Sequence, residues 1–195
     1  MAERTGKVIF LNGTSSSGKT TIAKRLQENF QEPYLHVSID AFLHQLPTAF
    51  LTEDALLTRE LPRLLAAFNS SSAAIARAGN NIVVDTVLQE PSWVAPCVMA
   101  FEGLEVVFVA IRCSLQELVA REKARSDRRL GMARYQYDRV HLCGIYDVEL
   151  DTSVVALEEC VGIISEYVRS GVRPLAFEKL RRADVTREQR FPADG

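Results

Sequence analysis

The most constraining feature of this chain is the segment Gly13-Thr14-Ser15-Ser16-Ser17-Gly18-Lys19-Thr20. It lies between the apolar run Val8-Ile9-Phe10-Leu11 and a stretch whose apolar residues, Ile22, Leu26 and Phe30, recur every four positions. The first pattern predicts a strand buried on both faces and the second a helix with one buried face. A loop between them that matches G-x-x-x-x-G-K-[ST] in full is built to wrap an anion. Successive backbone N–H groups point inward, and Gly13 and Gly18 permit the angles and close approach this needs. Lys19 supplies a cation, Thr20 offers a hydroxyl to Mg²⁺, and the following helix aims its N-terminus at the phosphates. Gly13, Thr14, Ser15, Ser16, Ser17, Gly18, Lys19, Thr20 and Thr21 are therefore the candidate contacts to the phosphates of ATP or GTP.

The rest of the chain supplies what such a loop requires. Strands are predicted at about 7–12, 34–39, 82–85, 105–112 and 146–151, alternating with helices that carry 3.6-residue stripes. One helix carries Leu61, Leu64, Leu65, Phe68 and Ile75, and another carries Val154, Leu157, Val161, Ile164 and Val168. Ser114-Leu115-Gln116-Glu117 is a capping box that opens a further helix. Strands alternating with helices predict an α/β fold of three layers, a P-loop NTPase/kinase domain with a five-stranded, mainly parallel sheet. The 195 residues suit one domain. The segment at about 40–60 is hard to read beyond a short helix ahead of Pro47, and the charged tail after Pro174 is left open between packing and fraying.

Composition narrows the partners. A formal net charge of -2 gives no general attraction to nucleic acid or an anionic membrane. Cys97, Cys113, Cys143 and Cys160 form no C-x-x-C pair and share no metal-ligand spacing with the three histidines, so they read as reduced core or near-core thiols. No secretion signal is evident at the N-terminus, and the longest early apolar run is too short to span a bilayer. A cytoplasmic protein is the expectation. No heptad sets an oligomeric state.

In an open parallel sheet, ligands bind beyond the carboxyl ends of the strands. Asp40 and Asp85 both fall at such ends. Phosphoryl transfer to a hydroxyl needs one group that orients or deprotonates the acceptor and another beside Mg²⁺. Either aspartate fits either role, and each also suits a turn or a helix cap. Arg121, Arg125, Arg128 and Arg129 recur every three or four residues, so several share a helix face. They suit an Arg-rich lid at about 121–135 that closes over the developing phosphoryl charge. They also suit a solvated helix in which Glu117 and Glu122 interleave as salt-bridge partners. His36 and His141 read as structural or surface residues, whereas His44 lies closest to the presumed acceptor pocket. Trp93 reads as covering a pocket edge or the core.

Six stretches carry a more specific signal: Ile9 to Gly13 with Ser15-Ser16 and Gly18-Lys19, Pro33 to Asp40, Ala76 to Leu88, Ile111 to Cys113, Arg121 to Ala133, and Tyr146 to Ser153. Through them the chain resembles the chloramphenicol phosphotransferase-like family of P-loop kinases. The resemblance implies ATP-dependent phosphorylation of a small-molecule hydroxyl, on a chloramphenicol-like antibiotic or a related metabolite. It implies Asp40 as general base, Asp85 as a supporting carboxylate, and Arg125 and Arg128 as the lid arginines flanking Asp127. The loop at Asp151 to Ser153 would wall the adenine. Residues 47–60 differ from the antibiotic kinase, and His44 stands where the family has an acidic residue near the acceptor. Asp40, His44 and Asp85 are the candidate acceptor contacts. The competing readings are a non-catalytic ATP-binding switch, a slow nucleotide hydrolase and a nucleoside or nucleotide kinase.

Overall fold

A computed structural model describes residues 4–52, 54–124 and 130–190. In chain order the elements are β1 (Val8–Asn12), α1 (Lys19–Asn29), β2 (Tyr34–Ser38), α2 (Ile39–Leu43), α3 (Thr48–Thr52), α4 (Asp54–Arg77) and β3 (Asn81–Thr86). A single 3-10 turn, Pro91–Trp93, leads into α5 (Val94–Ala100). Then follow β4 (Val106–Arg112), α6 (Leu115–Lys123), α7 (Met132–Tyr137), β5 (Val148–Asp151), α8 (Leu157–Arg169) and α9 (Ala176–Arg190).

The five strands form one sheet in the order β2-β3-β1-β4-β5. Every neighbouring pair is parallel, so the sheet is parallel throughout rather than mainly so. β1, at the centre, is buried along its whole length. Its residues divide between two cores. Val8 and Phe10 face a cluster that includes Leu65 and Phe68 of α4, Val98 of α5 and Phe177 of α9. Ile9 and Leu11 face one that includes Ile22 and Leu26 of α1 and Val161 and Ile164 of α8. The alternation of a strand thus gives three layers, with a helical layer on each face.

Strand order fixes where a ligand can sit. The chain leaves β1 toward β2 on one side, and leaves β3 across β1 toward β4 on the other. Neighbouring strands whose connections depart in opposite directions leave a crevice between their carboxyl ends. Leu11 pairs in register with Asp85 and Asn12 with Thr86, so the loop after β1 and the carboxylate of β3 open onto one crevice. Ser38 of β2 pairs with Asp85 as well, which brings the start of α2 to the same edge.

Three elements differ from expectation, and the structure decides the open question of the tail. The fifth strand starts at Val148, because Tyr146 turns its ring inward, its centroid 4.5 Å from that of Phe108. Val154 lies ahead of α8 and is 81% exposed. The helix expected around Leu61 begins at Asp54 and carries Pro62 inside it. Proline suits a first turn but is tolerated further in when tertiary packing outweighs the lost hydrogen bond. The tail packs as α9, where Ala176, Phe177 and Leu180 are buried in the α4–α5 core. The capping box holds, since the Ser114 hydroxyl accepts from the Glu117 N–H and caps α6. All four cysteines are free thiols, three of them buried and Cys143 partly so.

Candidate functional site

The phosphate loop leaves β1 under tight steric control. A Cβ on Gly13 would fall 2.4 Å from the Ile111 carbonyl oxygen and 2.8 Å from the Ser17 hydroxyl, so no larger residue fits without moving backbone. Gly18 has φ 95° at the N-cap of α1, and Ser16 holds φ 64° without being glycine. A serine there costs about 1–3 kcal/mol and persists where its surroundings impose it, as at ligand clamps. The Ser16 and Ser17 hydroxyl oxygens are buried with no hydrogen-bond partner among the described residues. Buried hydroxyls of this kind are rarely left unsatisfied, and a bound oxyanion is the partner this loop is shaped for.

Beside the loop is a buried charged group. Lys19 is 7% exposed. Its Nζ donates to the Thr14 carbonyl at 2.8 Å and lies 4.0 Å from Asp85 Oδ1. The Thr20 hydroxyl donates to Asp85 Oδ2 at 2.7 Å, and His36 Nε2 is 3.4 Å from that oxygen. Burial by itself would push the Asp85 carboxyl up. The His36 ring, the Lys19 ammonium and the Thr20 hydroxyl outweigh burial and hold it below the usual carboxylate range. Asp85 is therefore an anion hydrogen-bonded to the Thr20 hydroxyl. His36, set aside in the sequence, belongs to this group. Its only signal there is a polar residue near the end of an apolar strand, and the neighbour it faces depends on strand order.

Asp40 sits in the first turn of α2 behind the N-cap Ser38. It lines a cavity of about 690 Å³ together with Ser15, Ser16, Gly18, Lys19, Thr20 and Asp85. The opposite wall is apolar and aromatic: Leu43, Leu57, Leu61, Trp93, Met132 and Tyr135. Gln89 and Gln136 add neutral polar groups. Lys19 is the one cationic residue among the described residues of this lining. His44 is not part of it. Its side chain is on the exposed side of α2, with Nδ1 2.6 Å from the Asp40 carbonyl oxygen. The expected acceptor contact by His44 thus has no support from its position. Leu43 and Leu57 of this wall come from the segment that the sequence left unread, Leu61 from further along α4, and Trp93, Met132 and Tyr135 from later in the chain.

A second cavity, of about 510 Å³, opens on the other side of the loop. Gly18 and Ser16 line both cavities, while Thr21, Arg121, Thr152 and Leu157 line only the second. The Thr152 hydroxyl donates to the Ser17 carbonyl at 2.9 Å. Arg121 holds Thr152 twice, at its hydroxyl at 3.0 Å and its carbonyl at 2.8 Å. Arg121 therefore braces the loop after β5, and its Nε also pairs with Glu117 at 3.4 Å. Glu122 is not the surface salt-bridge partner expected. It is 2% exposed, and its carboxylate accepts from the N–H groups of Gly131 and Ala133 at 2.8 and 2.9 Å, which anchors the start of α7. Arg125, Arg128 and Arg129 lie outside the described residues.

A central parallel sheet, a G-x-x-x-x-G-K-[ST] loop after its middle strand and a crevice between β1 and β3 define a protein of the P-loop kinase fold. The chain belongs to the chloramphenicol phosphotransferase-like family, whose sequence profile matches residues 6–169, and this membership makes it a phosphotransferase. A Mycobacterium tuberculosis protein that carries the provisional name of an O-phosphotransferase is 31% identical over 199 residues, covering 91% of this chain and 88% of that one. Among solved structures, the adenosine phosphosulfate (APS) kinase CysC of Mycobacterium tuberculosis, in complex with AMPPNP and APS, superposes with a TM-score of 0.67 at 16% identity. That match covers 85% of this chain and 99% of the kinase. A gluconokinase from Sinorhizobium meliloti gives 0.58 at 18% identity over 88% of this chain and 100% of its own.

Proposed function

We propose that the chain transfers the γ-phosphoryl group of ATP to a hydroxyl of a small, largely apolar molecule, either a chloramphenicol-like antibiotic or a related metabolite. One observation carries this reading: a single cavity joins the phosphate loop and Asp40 at its polar end to a wall of leucines and aromatic rings. The base of ATP is assigned to the second cavity, on the Thr21 and Thr152 side, with its phosphates along Gly13 to Thr20. Asp40 accepts the acceptor's hydroxyl proton as the oxygen bonds to the γ-phosphorus and the bond to the β-phosphate oxygen breaks, releasing ADP. Lys19 compensates charge on the phosphates. The Thr20 hydroxyl and the Asp85 carboxylate are hard oxygen donors of the kind Mg²⁺ takes, and would hold it directly or through water. When bound there, the ion neutralises phosphate charge. Arg125 and Arg128 keep the role the family resemblance gives them, closing over the γ-phosphate. The four free thiols and the use of ATP suit the cytoplasm.

The described wall of the acceptor cavity carries leucines and aromatic rings beside Lys19, which favours an acceptor with an apolar or aromatic body. The test is an ATP-consumption screen over hydroxylated antibiotics and metabolites, with mass spectrometry to find the added phosphate and Asp40→Asn as the blank. Asp40→Asn is expected to lower turnover by about 10²–10⁴-fold while ATP affinity stays close to wild type. Wild-type turnover in that variant would overturn the base assignment. A broad panel with no hit, ATP still being bound, would favour the non-catalytic switch.

A further inference from the structure

The acceptor cavity contains two amides that the transfer chemistry above leaves unused. Gln136, on α7, is 6% exposed. Its Oε1 accepts from the Ser15 backbone N–H at 2.7 Å, and its Nε2 donates to Gln89 Oε1 at 3.0 Å. The orientation is dictated by chemistry. A backbone N–H only donates, so the carboxamide must present its oxygen to Ser15 and turn its NH₂ toward Gln89. The Ser15 N–H is one of the loop amides that serve anion binding. Its place along the loop can be read from the cavities: Ser15 lines only the acceptor cavity, Gly18 lines both, and Thr21 lines only the second. Ser15 is thus at the acceptor end, where the phosphoryl group in transit has to be.

We propose that Gln136 is a ligand of the terminal phosphate of ATP and distinguishes ATP from ADP. This rests on the assignment of the two cavities made above. An oxygen of the terminal phosphate and Gln136 Oε1 compete for the one Ser15 proton. The phosphate wins because hydrogen bonds to an anion are the stronger ones. The displaced carboxamide turns and donates its Nε2 hydrogens to the same phosphoryl group. Only a side chain carrying both an acceptor and a donor can make both sets of bonds. ADP has no group at that end of the loop and leaves the Gln136–Ser15 bond in place.

The experiment uses the full chain with two nucleotides, ADP and AMPPNP. In the wild type, the Gln136 side-chain NH₂ and Ser15 amide resonances are followed by ¹⁵N NMR. Both are expected to move on adding AMPPNP, and the Gln136 resonance to keep its nucleotide-free position with ADP. In binding assays, Gln136→Met keeps the shape without the polar atoms and is expected to weaken AMPPNP about fivefold or more, with ADP within about twofold. Gln136→Glu places a second anion at the terminal phosphate and should weaken AMPPNP about tenfold or more relative to ADP. Identical Gln136 shifts with both nucleotides, or an unchanged affinity ratio in both variants at wild-type melting temperatures, would overturn the proposal. If neither nucleotide moves any loop amide, the reading of the phosphate loop fails first and this one falls with it.

Discussion

His141 shows how a single side chain can set the response of this protein to acid. Its Nδ1 lies 2.9 Å from the Tyr146 hydroxyl oxygen. That oxygen already accepts from Asn12 Nδ2 at 2.9 Å and from the Cys143 thiol at 3.2 Å, so its own proton points to a neutral imidazole. Burial, helped by the nearby Arg112, pushes the His141 pKa down to about 4. An unfolded chain takes up this proton near pH 6.5, so between about 6.5 and 4 the unfolded state binds more protons than the folded one. The contribution of His141 to stability is complete above that window and declines as the pH falls through it. Asp85 is also held low, but its contribution is lost only further down, below the usual carboxylate pKa of about 3.9. Melting temperature measured from pH 7 to pH 5 is expected to fall in the wild type and to fall less in His141→Gln. Equal slopes would show that His141 is not the group responsible. None of this is visible in the sequence, where His141 is one of three unremarkable histidines, because its environment comes from residues 5 and about 130 positions away.

At the scale of elements, α9 matters more than its composition suggests. Its apolar residues are few, and eight of its 15 residues are charged, which is why the sequence left the tail open. Phe177 nevertheless inserts among Phe10, Phe101 and Phe108, with ring centroids 5.3, 6.0 and 5.0 Å away. It caps the core behind β1, the strand that launches the phosphate loop. Phe177→Ala is expected to cost about 3–5 kcal/mol and to lower the melting temperature by about 10 °C, at roughly 2–4 °C per kcal/mol for a chain of this size. A thermal melt that moves by only a degree or two would mean that α9 contributes little to the fold. Where the hydrophobic period is strong, as in α1 and α8, elements are legible from sequence. They are illegible where a few apolar residues suffice because the partner surface is already built.

At the scale of the whole molecule, the sheet order decides the chemistry the chain can attempt. β1 and β3 bring the phosphate loop and Asp85 together, and β2 delivers Asp40 and His36 to the same rim. α3 and α4 then line the same cavity with leucines. On the proposed function, the expected consequence is a preference for substrates with an apolar or aromatic body. By kcat/KM, hydroxylated aromatic compounds should exceed wholly polar acceptors such as free sugars by about tenfold or more, the scale on which a hydrophobic pocket rewards buried apolar groups. A side-by-side coupled assay measures the ratio, and a wholly polar acceptor used equally well would reverse the assignment.

The sequence by itself determined the loop from Gly13 to Thr20, the alternation of strands and helices, Asp85 near the end of a strand and Asp40 just past one. These are local matters: a motif whose spacing is fixed by backbone geometry, and periods of two and 3.6 residues. Only the tertiary structure decided what stands beside that loop. His36 against Asp85, Gln136 on the Ser15 N–H, Glu122 drawn inward to anchor α7, and His44 turned out to solvent all depend on which strands are neighbours and which faces are buried. Pairing across the sheet joins residues many tens of positions apart, and no local pattern carries that information.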